Sequence, residues 1–124
     1  MLTASNILLY VADPAASAAF YERLLGRAPV ELSPTFALLP LTSDLMLGLW
    51  KRGGVEPAPE SAPGGAEIGF KLADGAAVDA AYAEWRDKGA EIALPPTDLD
   101  FGRSFVALDP DGHRLRLYAL GEEM

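Results

Sequence analysis

The sequence contains no cysteine and only one histidine, His113. The absence of cysteine excludes disulfides, thiolate metal sites and cysteine nucleophiles. With no thiol and one imidazole, zinc sites and histidine-based catalytic triads are also disfavoured. His113 itself is interpreted as a polar residue at the start of a strand.

Basic residues are scarce as well. Lysine and arginine number 10 against 18 acidic residues, which gives a net charge of −8 over 124 residues. This balance disfavours nucleic acid and anionic membrane surfaces, since both need clustered cations. No apolar run reaches the length of a membrane span, and the opening MLTASNILLYVAD lacks the basic start of a signal peptide. We therefore expect a cytoplasmic protein with neither nucleic acid nor membrane as a partner.

Half of the residues are hydrophobic, which is enough for one domain with a core. The chain also repeats itself. The stretch NILLYVADPAASAAFYERLLG aligns with EIGFKLADGAAVDAAYAEWRDKG at a constant offset of 61 residues, which pairs Asn6 with Glu67 and Asp13 with Asp74. A register kept through strand, turn and helix indicates two copies of one motif.

Each copy predicts a strand followed by a helix. Asp13 and Asp74 stand where a short carboxylate caps a helix, and Pro14 suits the first helical position. Gly26 and Gly89 are typical of helix ends. The predicted helices run from Pro14 to about Leu25 and from about Ala76 to Lys88, with Trp85 on the apolar stripe of the second.

Three further strands are predicted after each helix, separated by turn signals such as Pro95-Pro96 and Asp109-Pro110-Asp111-Gly112. The segment Gly53–Gly65 is rich in proline and glycine and is interpreted as a linker. The prediction is one domain of two βαβββ modules, residues 1–52 and 66–124, joined by residues 53–65. The six strand candidates are Pro29–Leu32, Thr35–Leu39, Leu45–Trp50, Glu91–Leu94, Ser104–Leu108 and Arg114–Leu120.

Alternation along the strands separates two faces of the sheet. Ile7, Leu9 and Val11 are expected to face the helix, whereas Trp50 and other large side chains fall on the opposite face. Large apolar groups on an open face suggest a surface that binds something flat. The inferred cleft residues are Asn6, Tyr10, Met46, Gly48, Trp50, Glu67, Lys71, Arg116 and Tyr118.

Two stretches, VADPAASAAFYERLLG (Val11–Gly26) and FVALDPDGHRLRLY (Phe105–Tyr118), resemble the opening and the ending of the vicinal-oxygen-chelate superfamily. That superfamily includes glyoxalase I, extradiol dioxygenases and bleomycin resistance proteins. LMLGLWKRGGVEP (Leu45–Pro57) and DLDFGRSFVALDPDGHRLR (Asp98–Arg116) resemble its phenazine-antibiotic resistance proteins. The resemblance implies an α+β fold in which two βαβββ modules form a cupped mixed sheet, usually in a homodimer.

The resemblance also identifies the positions where metal-using members carry their ligands. Histidine, histidine and glutamate are replaced here by Asn6, Glu67 and Arg116, and the fourth position falls near Gly48. Asparagine is a poor ligand for a divalent ion, and a guanidinium has no lone pair to give. We therefore expect no metal, no cofactor and no catalytic residue. Either Glu67 pairs with Arg116, or Arg116 is left for a ligand carboxylate.

The leading hypothesis is non-catalytic sequestration of a planar aromatic small molecule, such as a phenazine-like antibiotic, in a cleft lined by both modules. Trp50 would stack on the rings, Phe101 or Tyr118 would cover the other side, and Arg116 or Ser104 would fix a carboxylate or carbonyl. The full predicted ligand set is Trp50, Arg116, Tyr118, Phe101, Gly102, Arg103, Ser104, Met46, Gly48, Asn6, Tyr10 and Glu67.

Two alternatives stay open at this point. One is a glyoxalase- or dioxygenase-like enzyme, either with relocated metal ligands or with Glu67 as a metal-free acid–base. The other is a structural or regulatory protein whose cleft is filled by another protein chain.

Overall fold

A computed structural model describes residues 2–121, which form two helices and eight strands. The chain divides into two compact units, the first ending at Ser61 and the second beginning at Ala62, a division inside the segment predicted as a linker. The first unit contains β1 (Asn6–Val11), α1 (Pro14–Leu25), β2 (Glu31–Leu32), β3 (Phe36–Pro40), β4 (Met46–Lys51) and a short 3-10 turn (Arg52–Gly54). The second contains β5 (Glu67–Lys71), α2 (Gly75–Asp87), β6 (Glu91–Leu99), β7 (Gly102–Leu108) and β8 (Arg114–Leu120).

Each unit is a mixed four-stranded sheet with one helix. The strand orders are β1-β4-β3-β2 and β5-β8-β7-β6, so the second unit repeats the order of the first. In both, the first strand pairs parallel with the last, and the remaining pairs are antiparallel. The predicted α+β fold built from two βαβββ motifs is confirmed.

The helices begin where their capping residues stand. The Asp13 carboxylate accepts the backbone N–H groups of Ala15 and Ala16 at 3.1 and 3.4 Å, and Asp74 accepts that of Ala77 at 2.8 Å. These bonds satisfy amides that have no partner within the helix. The first helix ends at Gly26 with a left-handed φ of 71°. Within residues 2–121, neither helix is long and apolar enough to cross a membrane.

The core of each unit lies between its helix and its sheet. Tyr21 on α1 is fully buried, as are Leu47 and Leu49 on β4. In the second unit Trp85 is buried as expected, and its ring meets that of Phe105 edge-on at 5.8 Å. Burial of such large apolar side chains supplies most of the driving force for folding.

The predicted turn at Pro95-Pro96 is wrong, because β6 continues through both prolines to Leu99. β6 is an edge strand, where a missing backbone N–H is tolerated. The register with β7 shifts between Leu94 and Thr97, so the prolines lie in an irregular part of the ladder.

Two smaller expectations also change. β2 is only Glu31–Leu32, shorter than the predicted Pro29–Leu32. Ile7 was expected to pack under the helix but is 37% exposed. It lies on an edge strand, and α1 packs mainly on β3 and β4, so the helix leaves the start of β1 uncovered.

Candidate ligand-binding surfaces

The sheet face opposite the helix can be compared position by position between the units. In the first, Gly48 on β4 stands beside Leu8; in the second, Arg116 on β8 stands beside Gly69. We name the two faces by their residues. The ring face comprises Leu8, Tyr10, Phe36, Met46, Gly48 and Trp50, and the charged face comprises Glu67, Gly69, Lys71, Ser104, Arg114, Arg116 and Tyr118.

The ring face is apolar and partly exposed. The rings of Tyr10 and Trp50 meet edge-on with centroids 6.5 Å apart, and Phe36 is the register partner of Trp50. Gly48 is covered by its neighbours, since an added Cβ would lie 2.4 Å from a Leu8 methyl and 3.2 Å from the Phe36 ring. Glycine therefore allows these side chains to approach the backbone and leaves a ring-rich surface.

The charged face is organised by Arg116. Its Nε donates to Glu67 Oε2 at 2.5 Å and its Nη2 to Glu67 Oε1 at 3.1 Å, a bidentate pair. Its Nη1 donates to the hydroxyl of Ser104 at 2.9 Å, and Ser104 is fully buried. Of the two arrangements expected for Arg116, the structure shows the pair with Glu67.

The pair fixes the charge of its members. The hydrogen bond from Arg116 lowers the pKa of Glu67, partial burial opposes that shift, and the positive charges of Arg116 and Arg114 reinforce it. The same hydrogen bond raises the pKa of Arg116. Glu67 is thus a stable carboxylate near neutral pH, whereas an efficient general base has a pKa close to the working pH.

These residues do not fit the divalent metal ion that metal-using members of the resembled superfamily would hold here. Both oxygens of Glu67 are held by Arg116, Gly48 has no side chain, and Asn6 offers a weak amide oxygen. Among residues 2–121 there is no group of three or more histidine, cysteine, aspartate or glutamate side chains that could hold a metal ion.

The loop before β7 contributes Phe101, whose ring meets that of Tyr118 edge-on at 6.2 Å. Gly102 has a φ of 146°, and an added Cβ would lie 2.0 Å from the Ala119 carbonyl oxygen. Only glycine fits there, because the chain passes directly against the end of β8. This contact holds Phe101 beside Tyr118.

Arg103 lies elsewhere. Its Nε donates to Asp79 of α2 at 2.8 Å and its Nη1 to Asp98 of β6 at 3.0 Å. Both hydrogen bonds raise the pKa of its guanidinium, and the bond to Asp79 raises it more. The structure therefore places this guanidinium on the helix side of the sheet and does not bring it together with Arg116. Arg103 lines an open groove of about 480 Å³ at the start of α2, together with residues 73–75, 98–99, 102 and 119–121.

Arg114 is a charged-face residue that, like Gly69 and Lys71, is missing from the predicted ligand set. Its Nη1 lies 3.7 Å from Glu67 Oε1, and its side chain is 43% exposed. Strand alternation places it on the same face as Arg116. Its exposure and its distance from Glu67 depend on tertiary geometry, which the sequence does not give.

Comparison with known families agrees with this architecture. A sequence model of the Glyoxalase/Bleomycin resistance protein/Dioxygenase superfamily matches residues 3–117. The chain belongs to this superfamily.

Among individual proteins, the chain is 36% identical over 123 residues to the phenazine antibiotic resistance protein EhpR of Enterobacter agglomerans, covering 96% of this chain and 93% of that protein. It is similar to protein ATC0852 of Agrobacterium tumefaciens, with a TM-score of 0.86, 44% identity and coverage of 98% and 99% of the two chains. It is also similar to a glyoxalase/bleomycin resistance protein/dioxygenase from Nocardioides, with a TM-score of 0.85, 27% identity and coverage of 100% and 87%.

Proposed function

We propose that this protein sequesters a planar aromatic small molecule without transforming it, and that phenazine-type antibiotics are its ligand class. The observation that carries the proposal is the bidentate Glu67–Arg116 pair, which occupies two positions where metal-using members of the superfamily carry ligands. The identity of 36% with a phenazine antibiotic resistance protein supports the choice of ligand class.

Partly exposed rings on both units support a flat ligand. Trp50 and Tyr10 form one aromatic pair, and Phe101 and Tyr118 form the other. Aromatic contacts with a ligand ring system contribute about 0.5–1.5 kcal/mol beyond the burial of area. Trp50 is assigned as the stacking residue of the ring face, and Tyr118 as that of the charged face.

The first test is titration of the protein with phenazine-1-carboxylate, followed by tryptophan fluorescence. The chain has two tryptophans, and Trp85 is buried in the core of the second unit. Trp85→Phe should therefore keep most of the quenching, with Trp50 as the remaining reporter. Trp50→Ala should weaken binding about fivefold or more, as measured by calorimetry.

Two results would oppose this assignment. Saturable quenching of unchanged affinity in Trp50→Ala would remove the stacking role of Trp50. A lack of heat and of quenching in the unsubstituted protein would remove phenazines as the ligand class.

The proposal includes a cytoplasmic homodimer. Native mass spectrometry of freshly expressed protein should show the mass of two chains, together with any small molecule retained from the cell. A spectrum with the mass of a single chain at micromolar concentration would contradict the dimer.

The enzyme alternative with Glu67 as acid–base is disfavoured, because its lowered pKa and its two bonds to Arg116 leave it a weak base. Elemental analysis of protein purified without chelator tests the metal-dependent alternative. Stoichiometric nickel, zinc, iron or manganese would favour an enzyme and contradict the proposal.

A further inference from the structure

We propose that Arg114, rather than Arg116, is the residue that selects anionic ligands on the charged face. In this assignment Glu67 and Ser104 are positioning residues that hold Arg116, and the ligand class narrows to planar aromatic acids. The inference rests on the proposed function, since it concerns the specificity of the same binding protein.

The donors of Arg116 are largely used within the protein. A guanidinium has five N–H donors, and Arg116 spends two on Glu67 and one on Ser104. The edge formed by Nε and Nη2, one of the two edges that bind a carboxylate in bidentate fashion, is occupied. The Glu67 carboxylate, 2.5 Å from Nε, also offsets the positive charge of Arg116. Only 20% of its side chain is exposed.

Arg114, in contrast to Arg116, is exposed and keeps its hydrogen-bond donors unused among the residues that the structure describes. Its guanidinium lies 3.7 Å from Glu67, beyond hydrogen-bond distance, and 43% of its side chain is exposed. Within residues 2–121 it makes no hydrogen bond through its side chain. Both oxygens of Glu67 already accept from Arg116, so Arg114 forms only a partly exposed ion pair with Glu67 at 3.7 Å, without a hydrogen bond. The donors of Arg114 therefore stay available to an incoming anion.

The surrounding charges favour an anion at this place. On β5 and β8 this face carries three positive side chains, Lys71, Arg114 and Arg116, and one negative side chain, Glu67. The chain as a whole has a net charge of −8. Glu91 on β6 lies in the same register row as Arg114 but is separated from it by Leu108 on β7. In the described part of the chain it forms no ion pair with Arg114. An excess of positive charge on an acidic protein directs anions to that surface.

The order of residues along β8 indicates the shape of the ligand. Arg114, Arg116 and Tyr118 alternate along one face, about 6.6 Å apart at each step. Arg116 is fixed in its plane by three hydrogen bonds, and a planar guanidinium stacks on aromatic rings. A flat ring system that covers Arg116 from the Tyr118 side would present a carboxylate to Arg114. Gly69, beside Arg116, adds no side chain of its own, and the Tyr118 ring lies against it, 3.4 Å from where a Cβ would stand.

The experiment compares phenazine-1-carboxylate with phenazine-1-carboxamide, which has nearly the same shape and no charge. Calorimetry of the unsubstituted protein should give about fivefold tighter binding of the carboxylate, a value suited to a partly exposed ion pair. Arg114→Gln should reduce this ratio to near one and leave carboxamide binding unchanged. Raising the salt concentration should reduce the ratio in the unsubstituted protein as well.

Arg86→Gln is the matched control, since it removes the same charge from α2, on the other side of the sheet. It should leave the ratio unchanged. Circular dichroism spectra identical to that of the parent protein would show that both variants are folded, as expected for exposed side chains.

The outcomes separate the two claims. A carboxylate preference that survives Arg114→Gln overturns the role of Arg114. Equal binding of both probes by the unsubstituted protein overturns anion selection but leaves aromatic binding in place. Binding of neither probe overturns the proposed function together with the inference.

Discussion

Gly48 in the first unit and Arg116 in the second occupy the same position of the repeated motif. Each stands on the last strand, two residues before an aromatic side chain, Trp50 or Tyr118. Gly48 is covered by the side chains of Leu8 and Phe36, whereas Arg116 extends to Glu67. One backbone plan thus carries an apolar ring surface in one copy and an ionic surface in the other.

The helix-facing positions of the same strands did not diverge in this way. Leu47 and Leu49 on β4 correspond to Leu115 and Leu117 on β8, and all four are buried. The fold of each unit is specified by the face under its helix, because burial there stabilises the sheet. The open face is left to function, and it was free to differ between the copies.

The largest effect is expected when Gly48 of the first unit is replaced by arginine, the residue found at the same position of the second unit. Gly48→Arg should lower the free energy of unfolding by about 3 kcal/mol, because its Cβ would collide with Leu8 and no carboxylate stands at Asn6 to receive the charge. Urea unfolding measures the change. The double substitution with Leu8→Ala should recover part of the loss, and an unaltered midpoint in Gly48→Arg would show that this position is not confined.

The reverse change removes the ionic centre of the second unit. Arg116→Met should cost about 1–2 kcal/mol of stability, because Glu67 loses both bonds and the buried hydroxyl of Ser104 loses its donor. Glu67→Gln combined with Arg116→Met should cost less than the sum of the single changes. Strict additivity in this double-mutant cycle would mean that the pair contributes no coupling energy.

The helix caps test whether the two units are equivalent in stability as well as in topology. Asp13→Ala and Asp74→Ala should each cost about 1 kcal/mol, since each exposes unsatisfied amides at a helix start. Asp13→Asn and Asp74→Asn keep the cap and should cost less. Thermal unfolding followed by circular dichroism would detect the difference, and equal loss from alanine and asparagine would exclude a capping role.

The smallest effect concerns pH. The pKa of Glu67 is lower in the folded protein than its ordinary value of 4.5, so its ionisation stabilises the fold above about pH 4.5. This contribution is lost as the pH falls through the lower, folded-state pKa. The free energy of unfolding of Glu67→Gln should therefore be lower than that of the parent near pH 7, by less than about 1 kcal/mol. This difference should become smaller as the pH is lowered. A constant difference down to low pH would argue against this ionisation as its source.

Much of the fold was accessible from sequence because its signals are local or repeated. The helix starts follow from Asp13 and Asp74, and the βαβββ succession of elements in the second unit follows from the 61-residue repeat. Alternation assigned Leu115 and Leu117 to the core correctly, since a strand buried on one face must alternate.

The features that sequence reasoning missed depend on position in the assembled sheet. β6 runs through Pro95-Pro96 because it lies at an edge, and Ile7 is exposed because α1 does not cover the start of β1. Arg103 finds Asp79 on α2, a partner distant in the chain and visible only after packing. The open donors of Arg114 follow from distances that no residue pattern encodes.

The two consecutive prolines of β6 have one more consequence. Successive backbone N–H groups along a strand point to opposite sides, so of two adjacent prolines one lacks its donor toward β7 and the other toward the outer edge. The missing N–H toward β7 accords with the shifted register between the two strands. The missing N–H on the other side interrupts the outer edge of this sheet. A foreign strand seeking to add there would meet a gap in the hydrogen-bonding pattern, and such gaps disfavour strand addition at the edge of a sheet.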